Sequence, residues 1–131
     1  MNKIIFIFIF IFIFSQTLNA ETMGGRSITT TQDGVKKTYL YNLEIPDSLA
    51  KKQPDFNPST NISMSLEKAI HRAEVSYLKS GNSKHYKIRS ISLRAFRSNP
   101  KSWYYDIFIG STRVAVLTSG LVIFEKKITR N

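Results

Sequence analysis

The feature that most constrains the fold of this chain is one amphipathic segment, followed by segments in which apolar and polar residues alternate. Residues 65–80 carry apolar side chains at spacings of three and four, the period of one helix face. Ser65 is suited to cap the start of this helix, and Gly81-Asn82 to end it. A helix of this kind buries its apolar stripe against another element. The predicted stripe consists of Leu66, Ala69, Ile70, Ala73, Tyr77 and Leu78.

The segments after the helix have a period of two, which is typical of half-buried strands. In the first, residues 86–96, the alternation slips at Arg89-Ser90, which predicts a β-bulge. The second covers 103–109, and the last two cover 113–118 and 121–126. We therefore predict an α+β fold in which one amphipathic helix packs on an antiparallel four-stranded meander.

The part of the chain before the helix predicts a hairpin and an irregular connection. Asp33-Gly34 lies between two segments rich in Thr, Tyr and Val, which is a β-hairpin pattern. We expect residues 21–26 to form a flexible N-terminus. Three prolines predict that residues 45–60 form neither a regular helix nor a central strand.

The first 20 residues have the pattern of a secretory signal peptide. Lys3 supplies a positive start, residues 4–14 are all Ile or Phe, and a short polar stretch ends at Ala20. The apolar run is shorter than the roughly 20 residues that span a bilayer core. We expect export to the periplasm or the cell exterior, with cleavage near Ala20. A retained anchor or a buried strand is the alternative.

Export leaves a small, basic chain without cysteine. Removing residues 1–20 takes away Lys3 and no acid, so 18 Lys and Arg remain against nine Asp and Glu. No disulfide can form, and packing alone has to stabilise a monomer. The predicted organisation is a hairpin and proline-rich connection over 21–61, followed by a helix-plus-sheet domain over 62–131. The charge favours anionic partners, including peripheral membrane contact, with plain solubility as the alternative.

No pattern typical of catalysis or metal binding is present in the sequence. His71 and His85 are the two histidines, and no Cys accompanies them. The sequence contains neither a Gly-x-Ser-x-Gly motif nor a glycine-rich phosphate loop. Asp106 is expected to be an edge or outward residue that balances a nearby Arg. We therefore predict no enzyme activity, no cofactor and no metal site.

The densest basic run lies on and around the first predicted strand of the meander, and aromatic residues accompany it. Guanidinium groups beside aromatic faces suit anionic sugars or a nucleic-acid backbone, without sequence-specific nucleic-acid binding. The alternative is a cationic edge strand that resists aggregation. We expect these cations to point to solvent. The candidate ligand-binding residues are Lys87, Arg89, Arg94, Arg97, Trp103 and Tyr104.

Residues 62–127 resemble PepSY-type modules, which are small exported domains. The matching parts are Ser65-Leu66-Glu67-Lys68-Ala69-Ile70, Trp103-Tyr104-Tyr105 and the last hairpin through Gly120. Ser119 stands where the family usually carries an acidic residue. The resemblance implies a binding or peptidase-inhibiting module of the cell envelope and supplies no active-site residues. A cystatin-like wrap of the sheet around the helix is the alternative arrangement.

Three hypotheses about function follow from these observations. The first is a non-catalytic module that inhibits or regulates an envelope protein. The second is a cationic protein that binds an anionic polymer, either an envelope glycan or the headgroups of anionic lipids. The third is an immunity or accessory protein for a secreted partner.

Overall fold

The computed structural model describes residues 20–55 and 64–128, and a four-stranded antiparallel sheet lies at its centre. The sheet has the order β3-β4-β5-β6, which confirms the predicted α+β fold and meander. In chain order the elements are β1 (Ala20–Gln32), β2 (Val35–Pro46), α1 (Asp47–Lys52), α2 (Leu66–Lys79), β3 (Ile88–Ala95), β4 (Trp103–Ile109), β5 (Thr112–Leu117), β6 (Val122–Phe124) and β7 (Lys126–Ile128). The predicted bulge is also confirmed, because the β3–β4 pairing shifts between Ile88 and Ser90.

Helix α2 begins and ends where the sequence predicts. The Ser65 hydroxyl accepts a hydrogen bond from the Lys68 backbone N–H at 3.2 Å, which satisfies one of the unpaired donors of the first turn. The buried residues Ala69, Ala73 and Tyr77 follow a single i, i+4 row. They pack on the first face of the sheet in a core that includes Tyr105, Ile107, Ile109, Val114 and Val116.

The buried stripe of α2 is narrower than predicted. Leu66 is 49% exposed and Leu78 is 39% exposed, so both lie outside the helix–sheet contact. The row of small Ala side chains, at positions 69 and 73, brings the helix close to the strands along one line. Residues that flank this line therefore remain at the surface.

The hairpin of β1 and β2 is confirmed and covers the second face of the sheet. Asp33 and Gly34 form its turn with φ of 52° and 76°, and Gln32 pairs with Val35. The end of β2 that lies away from the hairpin turn is buried. There Leu43 and Ile45, both 0% exposed, pack in a second core with Ala50, Phe96, Tyr104, Ala115 and Leu117. Both faces of the central strands are therefore buried.

Polar contacts fix α1 to the turns of the sheet. The Asn99 side chain donates to the Ala50 carbonyl at 3.1 Å, and the Ser102 hydroxyl donates to the Gln53 carbonyl at 3.0 Å. The Gln53 side-chain oxygen accepts from the Ser119 backbone N–H at 3.1 Å. The end of α1 is thus tied to both the β3–β4 and the β5–β6 turns.

Two predictions about the first part of the chain are wrong. The segment expected to be flexible, residues 21–26, belongs to β1, because its backbone pairs with β2 from Ala20 opposite Pro46 onward. The proline-rich connection contains the helix α1, because Pro46 stands just before the helix and Pro54 follows it. Proline is compatible with a helix start, where no intrahelical N–H bond is lost.

The last predicted strand, over 121–126, is divided at Glu125. Residues before it pair with β5 as β6, and residues after it pair with β2 as β7. The end of the described chain thus belongs to a second sheet of order β1-β2-β7. The predicted division of the chain at 61/62 into two parts stays a prediction.

The predicted signal peptide lies outside the described residues except for Ala20. Residues 56–60 of the proline-rich connection and residues 61–63 after it also lie outside them. In the two described ranges, neither helix has the length and apolar character needed to cross a bilayer.

Candidate anion-binding surfaces

Asp106 is buried in the sheet and paired with guanidinium groups. Its side chain is 2% exposed and accepts two hydrogen bonds from Arg113, at 2.9 Å from Nε and 2.6 Å from Nη2. The Arg94 Nε lies 3.0 Å from the same carboxylate. The hydrogen bond to Asp106 raises the pKa of the Arg113 guanidinium, although burial opposes this. The predicted pairing with Arg is confirmed. The predicted outward position is wrong, because β2 and α1 cover this face.

A second charge pair joins the hairpin to the sheet. The Arg26 Nε donates to the Glu125 carboxylate at 2.8 Å, and Arg26 Nη2 also pairs with Glu125 and donates to the Ser111 carbonyl. The hydrogen bond to Glu125 raises the pKa of Arg26. The guanidinium carbons of Arg26 and Arg113 lie 5.8 Å and 5.5 Å from the centre of the Phe108 ring. Glu125 and Asp106 are therefore engaged in structural pairs.

The structure separates the six predicted ligand-binding residues. Lys87 and Arg89 are exposed at the start of β3, and Arg97 is exposed just after its end. Arg94 is half exposed, with 55% of its side chain accessible, but is held by Asp106. Trp103 is half-buried opposite Ala95.

The prediction that Tyr104 is accessible to a ligand is wrong. It is 1% exposed, and its ring centre lies 4.9 Å from that of Phe96 in the second core. The alternation along β4 was predicted correctly. The face on which Tyr104 lies is covered by β2 and α1, so its ring is not accessible to a ligand.

Three exposed cations lie on or next to β3, at the edge of the sheet. Strand β3 is the outer strand of the four-stranded sheet, and its eight residues place its ends about 25 Å apart. Lys87 and Arg89 lie near one end, and Arg97 lies beyond the other. We call these three residues the β3 row.

A second cationic surface, which the sequence reasoning missed, is a groove of about 540 Å³ between α2 and the β5–β6 turn. On the turn side, Gly120 lies under the Arg72 guanidinium, whose Nη1 donates to the Gly120 carbonyl at 3.3 Å. Gly120 has a φ of 94°, and a Cβ there would lie 2.8 Å from the Arg72 Cζ. Glycine therefore allows both the turn and the close approach of Arg72. The groove is lined by Lys68, His71, Arg72, Val75, Ser76, Lys79, Gly120, Leu121 and Val122.

One signal of this groove is present in the sequence. Lys68, Arg72, Val75 and Lys79 recur at spacings of four, three and four, which gives α2 a second stripe beside its apolar one. The other wall comes from a turn 48 residues after Arg72, so the helix pattern alone cannot locate the groove.

Among the described residues, neither histidine belongs to a cluster of metal-binding side chains. His71 lines the groove, and His85 is exposed in the segment before β3. Among residues 20–55 and 64–128, no three His, Asp or Glu side chains lie close enough together to hold a metal ion.

No protein-family model, curated protein or solved structure matches this chain. The resemblance of residues 62–127 to PepSY-type modules therefore stays a prediction. Proposals about function rest on the geometry of the two cationic surfaces and of the hairpin.

Proposed function

We propose that this protein is an exported, non-catalytic binding protein of the cell envelope that attaches to anionic polymers, such as acidic glycans. The observation that carries the proposal is the β3 row, in which exposed cations lie along about 25 Å of an outer strand. Regularly spaced negative charges on a polymer match an extended row of cations, and each contact releases counterions.

The distribution of acidic residues supports this proposal. Asp106 and Glu125 lie beside the sheet but are held by Arg113, Arg94 and Arg26. They therefore offset cations that belong to the interior and the hairpin junction, while Lys87 and Arg89 are exposed at the start of β3. The 18 Lys and Arg of the predicted mature chain outnumber its Asp and Glu by two to one.

The test compares two double variants by heparin chromatography. Lys87→Gln with Arg89→Gln removes two charges from the β3 row. Lys36→Gln with Lys37→Gln removes two exposed charges from the hairpin and is the matched control. We expect the wild type to be retained at about 0.15 M salt, where screening acts over about 8 Å. The β3 variant should elute at clearly lower salt than the control. An unretained wild type, or equal shifts in both variants, would contradict the proposal.

Arg94 is unsuitable for this test. Reversing it to Glu would place a carboxylate beside the buried Asp106, so the loss of binding would be mixed with a loss of stability. This corrects the expectation that Arg94 merely points to solvent.

A second candidate function is binding to an envelope protein, as an inhibitor, regulator, immunity or accessory factor. The hairpin favours it. Strand β1 is the outer strand of its sheet, and its residues 27–32 contain no charge and no proline. Natural edge strands usually carry charged side chains or proline, which prevent pairing with another strand. An unprotected edge suits the addition of a strand from a partner.

This second candidate is tested by placing a charge on the β1 edge. Thr30→Lys adds a cation to the outer strand β1, where it should prevent pairing with another strand. Val35→Lys adds the same charge to the exposed first residue of β2 and is the control. An identified envelope protein that copurifies with the wild type and with V35K, but not with T30K, would support the candidate. A set of copurifying proteins that is unchanged in T30K would contradict it.

A further inference from the structure

We propose that the groove between α2 and the β5–β6 turn binds one molecule of an anionic amphiphile with a phosphate headgroup and a single alkyl chain. This site is distinct from the β3 row, because its walls come from α2 and the turn after β5. The proposal therefore does not depend on polymer binding.

The helix side of the groove supplies the charge. Lys68, Arg72 and Lys79 lie along about 16 Å of α2, from its first turn to its last. No Asp or Glu is among the described residues that line the groove. Basic side chains without a carboxylate between them favour an anionic headgroup.

Arg72 is an exposed residue of α2 whose guanidinium contacts the opposite wall of the groove. Its guanidinium lies against Gly120 and donates one hydrogen bond to that carbonyl, the one bond it makes to the described residues. A guanidinium has five N–H donors, so donors remain for a phosphate. Because the guanidinium is planar and preorganised, it loses less rotamer entropy for each hydrogen bond formed than a Lys ammonium does.

The turn side of the groove supplies apolar surface. Leu121 is 45% exposed beside Val122, and Val75 of α2 faces the same groove. A free phosphate would leave this apolar surface in water, and a neutral chain would leave the cations without a partner. A phosphate joined to one alkyl chain satisfies both, and the groove volume is within the usual range for a small ligand.

The binding test uses the exported protein in isothermal titration calorimetry with dodecyl phosphate below its micelle concentration. We expect saturable binding of one molecule per chain. Inorganic phosphate and the neutral detergent dodecyl maltoside should each bind at least about tenfold more weakly, since each makes only part of the contacts. Equal affinity for inorganic phosphate would show a plain anion site. Equal affinity for dodecyl maltoside would show a plain apolar site. Either result would overturn the proposal.

Variants then locate the ligand. Arg72→Gln should weaken dodecyl phosphate binding about tenfold or more, and Leu121→Asn should also weaken it severalfold. Lys51→Gln removes the same charge from exposed α1 and is the matched control. The Lys87→Gln, Arg89→Gln variant should bind like the wild type. Equal losses in R72Q and K51Q, or an unchanged L121N, would overturn the proposal. If R72Q fails to fold, Lys68→Gln takes its place, because the Lys68 side chain is exposed.

Discussion

Asp106 is a buried carboxylate that pairs with two arginines of the sheet. Asp106→Asn would leave the Arg113 guanidinium, 8% exposed, without its charged partner. We expect the free energy of unfolding to fall by about 3 kcal/mol or more, as when a buried ion pair loses one member. Arg94→Gln removes a half-exposed partner and should cost about 1 kcal/mol or less. Urea denaturation measures both, and equal losses would contradict the assigned roles.

Tyr105 gives the stability a defined pH dependence. Its hydroxyl donates to the Met64 carbonyl at 2.8 Å, and burial raises its pKa. The folded-state pKa lies above the unfolded value of about 10. The contribution of Tyr105 to the free energy of unfolding is therefore complete below pH 10 and is lost as the pH rises through the folded-state pKa. Tyr105→Phe should therefore cost about 1 kcal/mol at pH 7. The difference from the wild type should narrow above pH 10 in urea denaturation. A constant or widening difference would contradict this explanation.

For single residues, the sequence predicts the face of a strand on which a side chain lies better than it predicts whether that side chain is buried. The alternation along β4 correctly separates Tyr104 and Asp106 from Tyr105 and Ile107. It cannot tell that the first pair is buried, because the covering residues come from β2, about 60 positions earlier. Burial on this face depends on a long-range contact that a local period does not encode.

Among the elements, α2 has the clearest start signal. Ser65→Ala should cost about 1 kcal/mol, because the Lys68 N–H loses its acceptor. Ser65→Asp should leave stability nearly unchanged, since Asp is an equally good cap beside the positive end of the helix dipole. Thermal denaturation measures both variants. A loss of the same size in S65D would mean that the hydroxyl acts in some way other than capping.

The buried row of α2 should not tolerate charge. Ala73 is 0% exposed against the sheet, so Ala73→Asp would bury an unpaired carboxylate and should prevent folding or cost several kcal/mol. Lys68→Asp lies on the exposed groove side and should change stability little. Circular dichroism with urea titration distinguishes these outcomes. A folded, stable A73D would mean that the helix face is assigned wrongly.

Long, periodic elements were predictable, and short ones were not. The patterns of α2 and β4 each contain several repeats of their period, and their bounds follow from the sequence. Helix α1 has six residues and β7 has three, too few for a period to appear. Their structure depends on contacts such as Asn99 with Ala50, and on the pairing of Tyr41 with Lys127.

At the scale of the whole molecule, the chain covers its central sheet with α2 on one face and with β2 and α1 on the other. This arrangement buries Asp106, and the exterior of the described residues includes two cationic surfaces, the β3 row and the groove. The sequence identifies the first because its cations are neighbours along the chain. The groove escapes prediction because its two walls meet only in the fold.

We propose that the cations of the β3 row bind anionic polymers. The most direct measurement is the affinity of the protein for a heparin fragment over a series of salt concentrations. We predict that the logarithm of the binding constant falls linearly with the logarithm of the salt concentration, because binding releases counterions. The Lys87→Gln, Arg89→Gln variant should show a clearly smaller slope than the Lys36→Gln, Lys37→Gln control. A wild-type affinity that does not depend on salt, or the same slope in both variants, would contradict the claim.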